Sequence, residues 1–318
     1  MSYRTLLIHN PTAGPWDKRR RLKQLATNLG NHGWTTEIVE TQQIGDATEL
    51  ARQAREAGFK LVLVAGGDGT INEAVNGLVG TETALGIIPV GTGNILARQM
   101  RMPGLSMSLP FTNLEVEDAL ISSRYQRVDV GQVQDRYFLS WAGIGLDAEV
   151  TSRMEPRPKY IKFLRILPYA LAVATVATDF RGVKTRITVE NRTFNTRTVL
   201  IVVSNIQHYA AFNMARHAYM DDGMLDIFIF KGLGLGYIFR HLFHIFSGRH
   251  LQDPAVIQIL ARQMHIVTTP TVVMQLDGEP CLETPATISL APGALRLLVP
   301  PQAPRDLFSK PPEELPKL

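Results

Sequence analysis

Hydrophobic period changes repeatedly along the first third of the chain. Thr5–Asn10 is a short, largely apolar run that reads as a buried strand, and Leu22, Leu25, Ala26 and Leu29 then recur at helical spacing within Lys18–Gly30. Thr35–Thr41 alternates as a half-buried strand, and Asp46–Ala57 is helical until Gly58 stops it. Strand Leu61–Ala65, a glycine cluster, a helix from Ile71 to Val79, strand Ala84–Pro89, the loop Val90–Gly93 and a helix over Asn94–Met100 continue the series. Strands alternating with helices predict a parallel sheet with right-handed crossovers, which binds ligands at the carboxyl ends of its strands.

After Arg127 the pattern shortens. Arg127–Val133, Tyr137–Ala142, Thr185–Glu190, Thr198–Ser204, Leu225–Phe230, Met264–Val267, Thr271–Leu276 and Ala286–Leu290 have strand character at fairly regular spacing. Helical segments are predicted near Tyr160–Thr178, Gly236–Phe246 and Pro254–Ala261, and Leu295–Val299 fits either domain. The expected fold class is α/β plus β. A Rossmann-like parallel-sheet domain over residues 1–127 precedes a β-rich, antiparallel, sandwich-like domain over 128–299, and a proline- and charge-rich tail from Pro300 reads as disordered. No internal repeat is visible.

Composition narrows the class. A chain of 318 residues, 45% hydrophobic and 19% charged, supports two domains with sizeable cores. The single cysteine, Cys281, excludes an internal disulfide or a cysteine-rich zinc site and points to a reducing cytoplasm. Met1–Asn10 reads as a strand, not a signal peptide, and the uncharged Ile166–Thr178 contains Pro168 and falls well short of the roughly 20 residues a membrane span needs. The net charge of +4 is unevenly placed: Arg153, Arg157, Lys159, Lys162 and Arg165 are accompanied only by Glu155. That cluster suits an anionic membrane surface or a solvated face.

The chemistry concentrates in loops. Gly66, Gly67 and Gly69 give a backbone free to take positive φ and to approach a phosphate closely, while the following helix offers unpaired N–H groups and its positive dipole end. Asp68 within that loop makes sense if a divalent cation mediates the contact. The loop lacks the Gly-Lys-Ser/Thr ending of a P-loop, and Asn72 stands where a dinucleotide fingerprint has its third glycine. Thr70 and Glu73 have the spacing of a capping box. Asn10–Gly14, Gly66–Thr70 and Gly91–Asn94 each follow a strand, so three small polar loops should share one sheet edge, as a phosphate site requires.

Ordered motifs carry a resemblance. They are Asn10–Gly14, Gly66–Asn72 with Glu73, Asn76 and Gly77, Pro89–Asn94 with Ala97 and Arg98, Val128–Gly131, Ala142–Asp147, Asp221–Asp226 and Leu276–Glu279. Together they resemble the diacylglycerol kinase catalytic domain family, within the superfamily shared with sphingosine kinases, bacterial lipid kinases and NAD kinases. The resemblance covers nearly the whole chain except the tail. It implies ATP-dependent phosphoryl transfer to a lipid hydroxyl in a cleft between the two domains. By position, the resemblance implies that Asn10, Pro11, Thr12, Ala13, Gly14, Thr41, Gly66, Gly67, Asp68, Gly69, Thr70, Ile71, Asn72 and Thr92 contact the nucleotide. Glu279 matches the family's proposed proton acceptor with Asp277 beside it, and the resemblance implies that Asp68 and Asp129 help hold a catalytic Mg2+ through waters. It also implies a second, structural metal, Mg2+ or Ca2+, on the Asp222 carboxylate and the Tyr219 and Met224 carbonyls. The implied partners are the lipid substrate and an anionic membrane surface, in the cytoplasm and without nucleic acid; a homodimer is compatible with the chain.

Other readings stand beside these. Asp277-Gly-Glu279 and Asp221-Asp-Gly223 are also turn signals. Many family members carry Asp after the Gly-Thr-x-Asn asparagine, whereas this chain has Ile95, which bears on nucleotide and metal handling. The alternatives are an NAD kinase-type phosphotransferase and a non-catalytic nucleotide or lipid sensor. Ile161–Thr178 and Leu233–Phe246 offer apolar residues for a lipid cleft or a core without naming the lipid, and His241, His244 and His250 have no metal-site context.

Overall fold

The computed structural model describes residues 3–14, 16–105, 112–146, 182–190, 192–209 and 212–313. Asp147, the basic cluster at 153–165 and the helical segment expected over 160–178 lie outside the described residues. The chain divides into two compact units, Met1–Val130 with Met220–Asp222 and Pro292–Leu318, and Gly131–Tyr219 with Gly223–Ala291.

In the first unit, β1 (Tyr3–His9) lies between β2 (Trp34–Glu40) and β3 (Leu61–Gly66), with β4 (Ala84–Pro89) beyond β3, all parallel. Leu297 near the end of β17 (Ala286–Val299) pairs with Leu85 in the same sense, which assigns the last apolar run to this unit. β3 is buried along its whole length because it is a central parallel strand covered on both faces. The helices are α1 (Arg19–Asn31), α2 (Asp46–Glu56), α3 (Asp68–Leu78), α4 (Ile95–Gln99) and α5 (Thr112–Ile121). Leu22, Leu25 and Leu29 bury one face of α1, as their spacing predicts. Gly77 allows α3 to approach α2 closely, since a Cβ there would stand 2.8 Å from the Ala51 methyl.

The second unit is antiparallel. Its strands run in the order β16 (Glu279–Glu283), β15 (Val273–Leu276), β7 (Trp141–Gly145), β9 (Arg192–Ser204), β8 (Val183–Val189), β14 (Gln263–Thr269) and the first half of β17. β9 pairs with β8 through Arg192–Thr198, and its later residues pair with β7 and β12 (Leu225–Lys231). Ile187, Ile201, Val203, Ile227, Ile229, Met264, Ile266 and Ile288 form its core. β5 (Arg124–Val133) continues across the division between the units and forms a hairpin with β6 (Arg136–Phe138). β10 (His208–Tyr209) and β11 (Phe212–Asn213) make a small separate ribbon, and α6 (Gly234–Phe246) follows β12.

Two expectations are corrected here. Pro254–Ala261 is not helical: Val256–Ala261 is β13, an edge strand paired antiparallel to β12. Val256, Ile257 and Ile259 are β-branched and fit a pleated surface better than a helix. The described residues after Pro300 are ordered. A short 3-10 turn over Arg305–Leu307 buries Leu307, and Glu313 pairs with Tyr125 through reciprocal backbone bonds.

Candidate active site

Four parallel strands end at one edge of the first unit, and their loops interlock there. Asn10 donates its amide N–H to Ala65 O, and Thr41 donates to His9 O, each at 2.9 Å. The Asn10 side chain links two loops: its Nδ2 donates to Thr70 Oγ1 at 2.8 Å, and its Oδ1 accepts the Thr12 N–H at 2.9 Å. Val90 and Gly91 both donate to Gly66 O at 3.3 Å.

The glycines serve close approach more than positive φ. Gly67 is extended, with φ −96°. A Cβ on Gly91 would stand 2.7 Å from the Gly67 Cα, one on Gly93 would strike the Asp68 carboxylate, and one on Gly14 would strike the Val90 carbonyl. Gly14 alone among these sits at positive φ, +76°. The expected three-loop edge therefore exists, with Asn10–Gly14, Gly66–Thr70 and Gly91–Asn94 in mutual contact and Thr41 and Thr92 beside them.

α3 begins at Asp68, three residues before the sequence pattern predicts it. Asp68, Gly69 and Thr70 are thus its first turn, whose N–H groups have no partner within the helix. The capping-box reading is corrected accordingly. Thr70 Oγ1 accepts the Asn10 amide, and Glu73 Oε2 instead accepts the Ala47 N–H at 3.1 Å, capping α2. Thr48 Oγ1 adds a bond to Glu73 O at 2.9 Å. Ile71 and Asn72 are buried inside α3, and Asn76 Nδ2 donates to Asn72 O at 2.9 Å.

Asp68 is a crossing point. Its carboxylate accepts the Asn94 N–H at 2.7 Å and the Ile95 N–H at 2.8 Å, at the head of α4. Burial pushes this carboxyl above its ordinary range, against the opposing pull of those N–H groups and of the Arg98 charge. Asn94 is a member of the site that reasoning from loop spacing left out of the contact set. It adopts a left-handed backbone, φ +50°, donates Nδ2 to Gly91 O at 2.6 Å, and keeps a buried Oδ1 with no hydrogen-bond partner among the described residues. An asparagine after Gly-Thr-Gly was the available signal, since Asn tolerates that conformation.

Asp129 is buried on β5; its Oδ1 accepts the Gly293 N–H at 2.7 Å, and its own N–H donates to Met220 O at 2.6 Å. The neighbouring Asp221 is buried too and accepts Gln126 Nε2 at 2.8 Å, Ser309 N at 2.5 Å and Lys310 N at 3.0 Å. This is what holds the chain beyond Pro300. Tyr219 and Met224 flank a turn in which Gly223 sits at φ +78° and Asp222 is exposed.

In the second unit, Asp277 and Gly278 form the connection between β15 and β16, with Leu276 opposite Glu279. Both take positive φ, +50° and +91°, as such a tight hairpin requires. The turn that the Asp-Gly pair signals is present. The Asp277 carboxylate accepts the N–H groups of Leu139 and Ser140 at 2.8 Å and of Trp141 at 2.9 Å. Asp277 therefore fixes the turn, and Glu279, half-buried, opens β16 beside it. Burial pushes the nearby Cys281 thiol up, and the charges of Glu279 and Asp277 add to that.

Hard oxygen donors are present for a magnesium ion. Each Asp68 oxygen accepts one N–H and keeps further lone-pair capacity, and Asn94 Oδ1 is a buried acceptor in want of a partner at the same loop edge. Among the described residues no three His, Cys, Asp or Glu side chains cluster as a preformed cation cage. A metal bound largely through waters and substrate oxygens needs none.

Residues 4–133 match the diacylglycerol kinase catalytic domain, and residues 140–299 match the YegS C-terminal NAD kinase beta sandwich-like domain. The chain is 31% identical over 279 residues to the diacylglycerol kinase of Bacillus subtilis strain 168, covering 87% of this chain and 89% of that one. It is 29% identical to the diacylglycerol kinase of Staphylococcus carnosus strain TM300 over 283 residues, covering 88% and 89%. A crystal structure of a candidate diacylglycerol kinase from Bacillus anthracis strain Sterne superimposes with a TM-score of 0.76 at 27% identity, over 95% of this chain and 98% of that one. Catalytic-domain and sandwich-domain matches together account for nearly all of the sequence, and the chain belongs to the diacylglycerol kinase family of lipid kinases.

Proposed function

We propose that this lipid kinase transfers the γ-phosphoryl group of ATP to the hydroxyl of diacylglycerol or a closely related lipid at a membrane surface. The observation that carries the reading is the loop edge of the first unit. Three backbone segments approach within the distance of a missing Cβ, and the first-turn N–H groups of α3 open onto the same edge. Such an edge suits the phosphates of a nucleotide, because it offers neutral donors without filling the space that the phosphates need. Asn10, Pro11, Thr12, Ala13 and Gly14, Thr41, Gly66–Asn72 and Thr92 are the proposed nucleotide contacts, with Asn94 added to them.

Phosphoryl transfer depends on positioning and charge neutralisation more than on covalent catalysis. The lipid oxygen bonds to the γ-phosphorus, the bond from that phosphorus to the β–γ bridging oxygen breaks, and ADP departs. The hydroxyl proton passes to the Glu279 carboxylate. Asp277 is a positioning residue whose three N–H bonds hold the turn that presents Glu279. Asp68 and Asp129 would hold a magnesium ion through waters, and that ion supplies positive charge to the phosphate oxygens. Asp222, with the Tyr219 and Met224 carbonyls, would hold a second, structural cation whose effect is on stability.

The matched sandwich domain is named for NAD kinases, so NAD belongs in the test. The experiment incubates the protein with magnesium and γ-labelled ATP against a panel of lipids in mixed micelles, with NAD as a soluble acceptor. Label in diacylglycerol is the expected result. Label in NAD alone overturns the lipid assignment. ATP binding without transfer to any acceptor favours a sensor.

A further inference from the structure

α6 is apolar on the arc that faces away from its own unit. Ile238, His241 and Ile245 are buried on the inner side. On the outer side Leu235, Phe239, Phe243 and Phe246 fall along one stripe of the helix. Phe239 is 58%, Phe243 68% and Phe246 57% exposed. Exposed singly, such residues need no explanation, but a contiguous stripe of phenyl rings does.

Arg240 of α6 is already paired, its Nη2 lying 2.6 Å from the buried Asp253 carboxylate. α6 contains no carboxylate. At its N-terminus the Gly232 N–H donates to Arg197 O at 2.9 Å, which ties the helix entry to β9. There Lys184, Arg197, Leu233 and Gly234 line an open surface hollow of about 470 Å³. Lys184 and Arg197 are directly opposed across β8 and β9, both exposed, and neither forms an ion pair with another described residue. Like charges directly opposed are unfavourable unless an anion lies between them. The first-turn N–H groups of this 13-residue helix add to the same positive field.

From this we infer that α6 is a membrane-docking helix. Its Leu235–Phe246 stripe enters the acyl boundary of a bilayer, while Lys184 and Arg197 receive an anionic lipid headgroup beside the helix N-terminus. An apolar arc beside two cations that form no ion pair among the described residues matches an acidic bilayer surface better than it matches a protein partner. The inference rests on the membrane-surface part of the proposed function and names the face that performs it.

The test is co-sedimentation of the full chain with phosphatidylcholine vesicles, with and without phosphatidylglycerol and without ATP. Wild type is expected to bind the phosphatidylglycerol vesicles, more weakly as salt rises. Replacing Phe239→Ser together with Phe243→Ser removes two penetrating rings and should weaken binding at least about tenfold. Lys184→Glu with Arg197→Glu, which leaves the phenyl stripe in place, should abolish the dependence on phosphatidylglycerol. The inference is overturned if wild type binds neither vesicle, or if both double variants bind as wild type does. It is also overturned if the serine pair dissolves a dimer in analytical ultracentrifugation while vesicle binding stays unchanged, which would make the stripe a self-association face. Vesicle binding without label transfer to lipid would instead overturn the kinase assignment and leave the docking face standing.

Discussion

The Asp68 carboxylate accepts the backbone N–H of Ile95 at 2.8 Å. One acid thus opens α3 and at the same time caps α4, so the second and third loops of the edge are locked to each other. The bond is to the backbone, so it survives whatever side chain stands at 95, including the isoleucine found here. Asp68→Ala should abolish phosphoryl transfer and also destabilise the chain by about 1–2 kcal/mol, the usual loss on removing a helix cap. Asp68→Asn keeps one acceptor and should cost less stability with the same loss of turnover. Calorimetry and label transfer measured together check this, and near-normal turnover in Asp68→Asn would remove Asp68 from the metal network.

Gly91 has no room for a side chain, since its Cβ would stand 2.7 Å from the Gly67 Cα. Gly91→Ala should push the two loops apart, cost about 1–3 kcal/mol as other overpacked sites do, and weaken ATP binding. Titration with a fluorescent ATP analogue reads the second effect. Unchanged affinity would show that the nucleotide does not use this edge.

Glu279→Gln removes the proposed proton acceptor while keeping the size of the side chain. The rate should fall roughly a hundredfold or more, the usual scale of general-base catalysis, with little change in ATP affinity. A large loss of affinity at an unchanged rate would take Glu279 out of that role. Asp277→Ala should lower the rate through the turn, and Asp277→Asn, which still accepts hydrogen bonds, should recover part of it.

Removing residues 304–318 should destabilise the protein. Asp221 would lose the Ser309 and Lys310 N–H donors, and Leu307 would leave its buried site. Hydrogen bonds to a charged group contribute roughly 1.5–3 kcal/mol each, so the total should exceed about 3 kcal/mol. Urea unfolding gives the value, and an unchanged midpoint would mean that the segment is dispensable.

Burial pushes His241 and His250 below the usual imidazole range, although their bonds to Lys231 O and Met214 O pull the other way. Both are therefore neutral in the folded protein and more basic when unfolded. The unfolded chain takes up protons first, so the stability they lend is complete above about pH 6.5 and is lost as pH falls below it. Melting temperatures across that range should decline more steeply for wild type than for His250→Gln. Parallel curves would assign the acid sensitivity to other groups.

Much of the first unit was legible along the chain. Leu61–Val64 is continuous and branched because a central parallel strand is covered on both faces, and Leu22, Leu25 and Leu29 repeat with the helix because only one face of α1 is buried. Where the pattern misled, a long-range partner had decided the outcome. Val256–Ala261 is a strand because β12 supplies its ladder, and the described residues after Pro300 are ordered because Asp221, distant in sequence, accepts their N–H groups. Glu73 caps α2 and not its own helix because α3 starts at Asp68 and packs beside α2.

The sequence by itself determined the alternation of strands and helices, the three glycine loops and the acids beside them. Those follow from local propensity and from the need of small residues where one loop's backbone approaches another. Only the tertiary structure decided what the acids hold: Asp68 the head of α4, Asp277 the chain at Leu139–Trp141, Asp221 the returning C-terminal segment. A carboxylate held within the fold takes its partners from whichever N–H groups the packing brings near, and that choice is not written in the residues next to it in sequence.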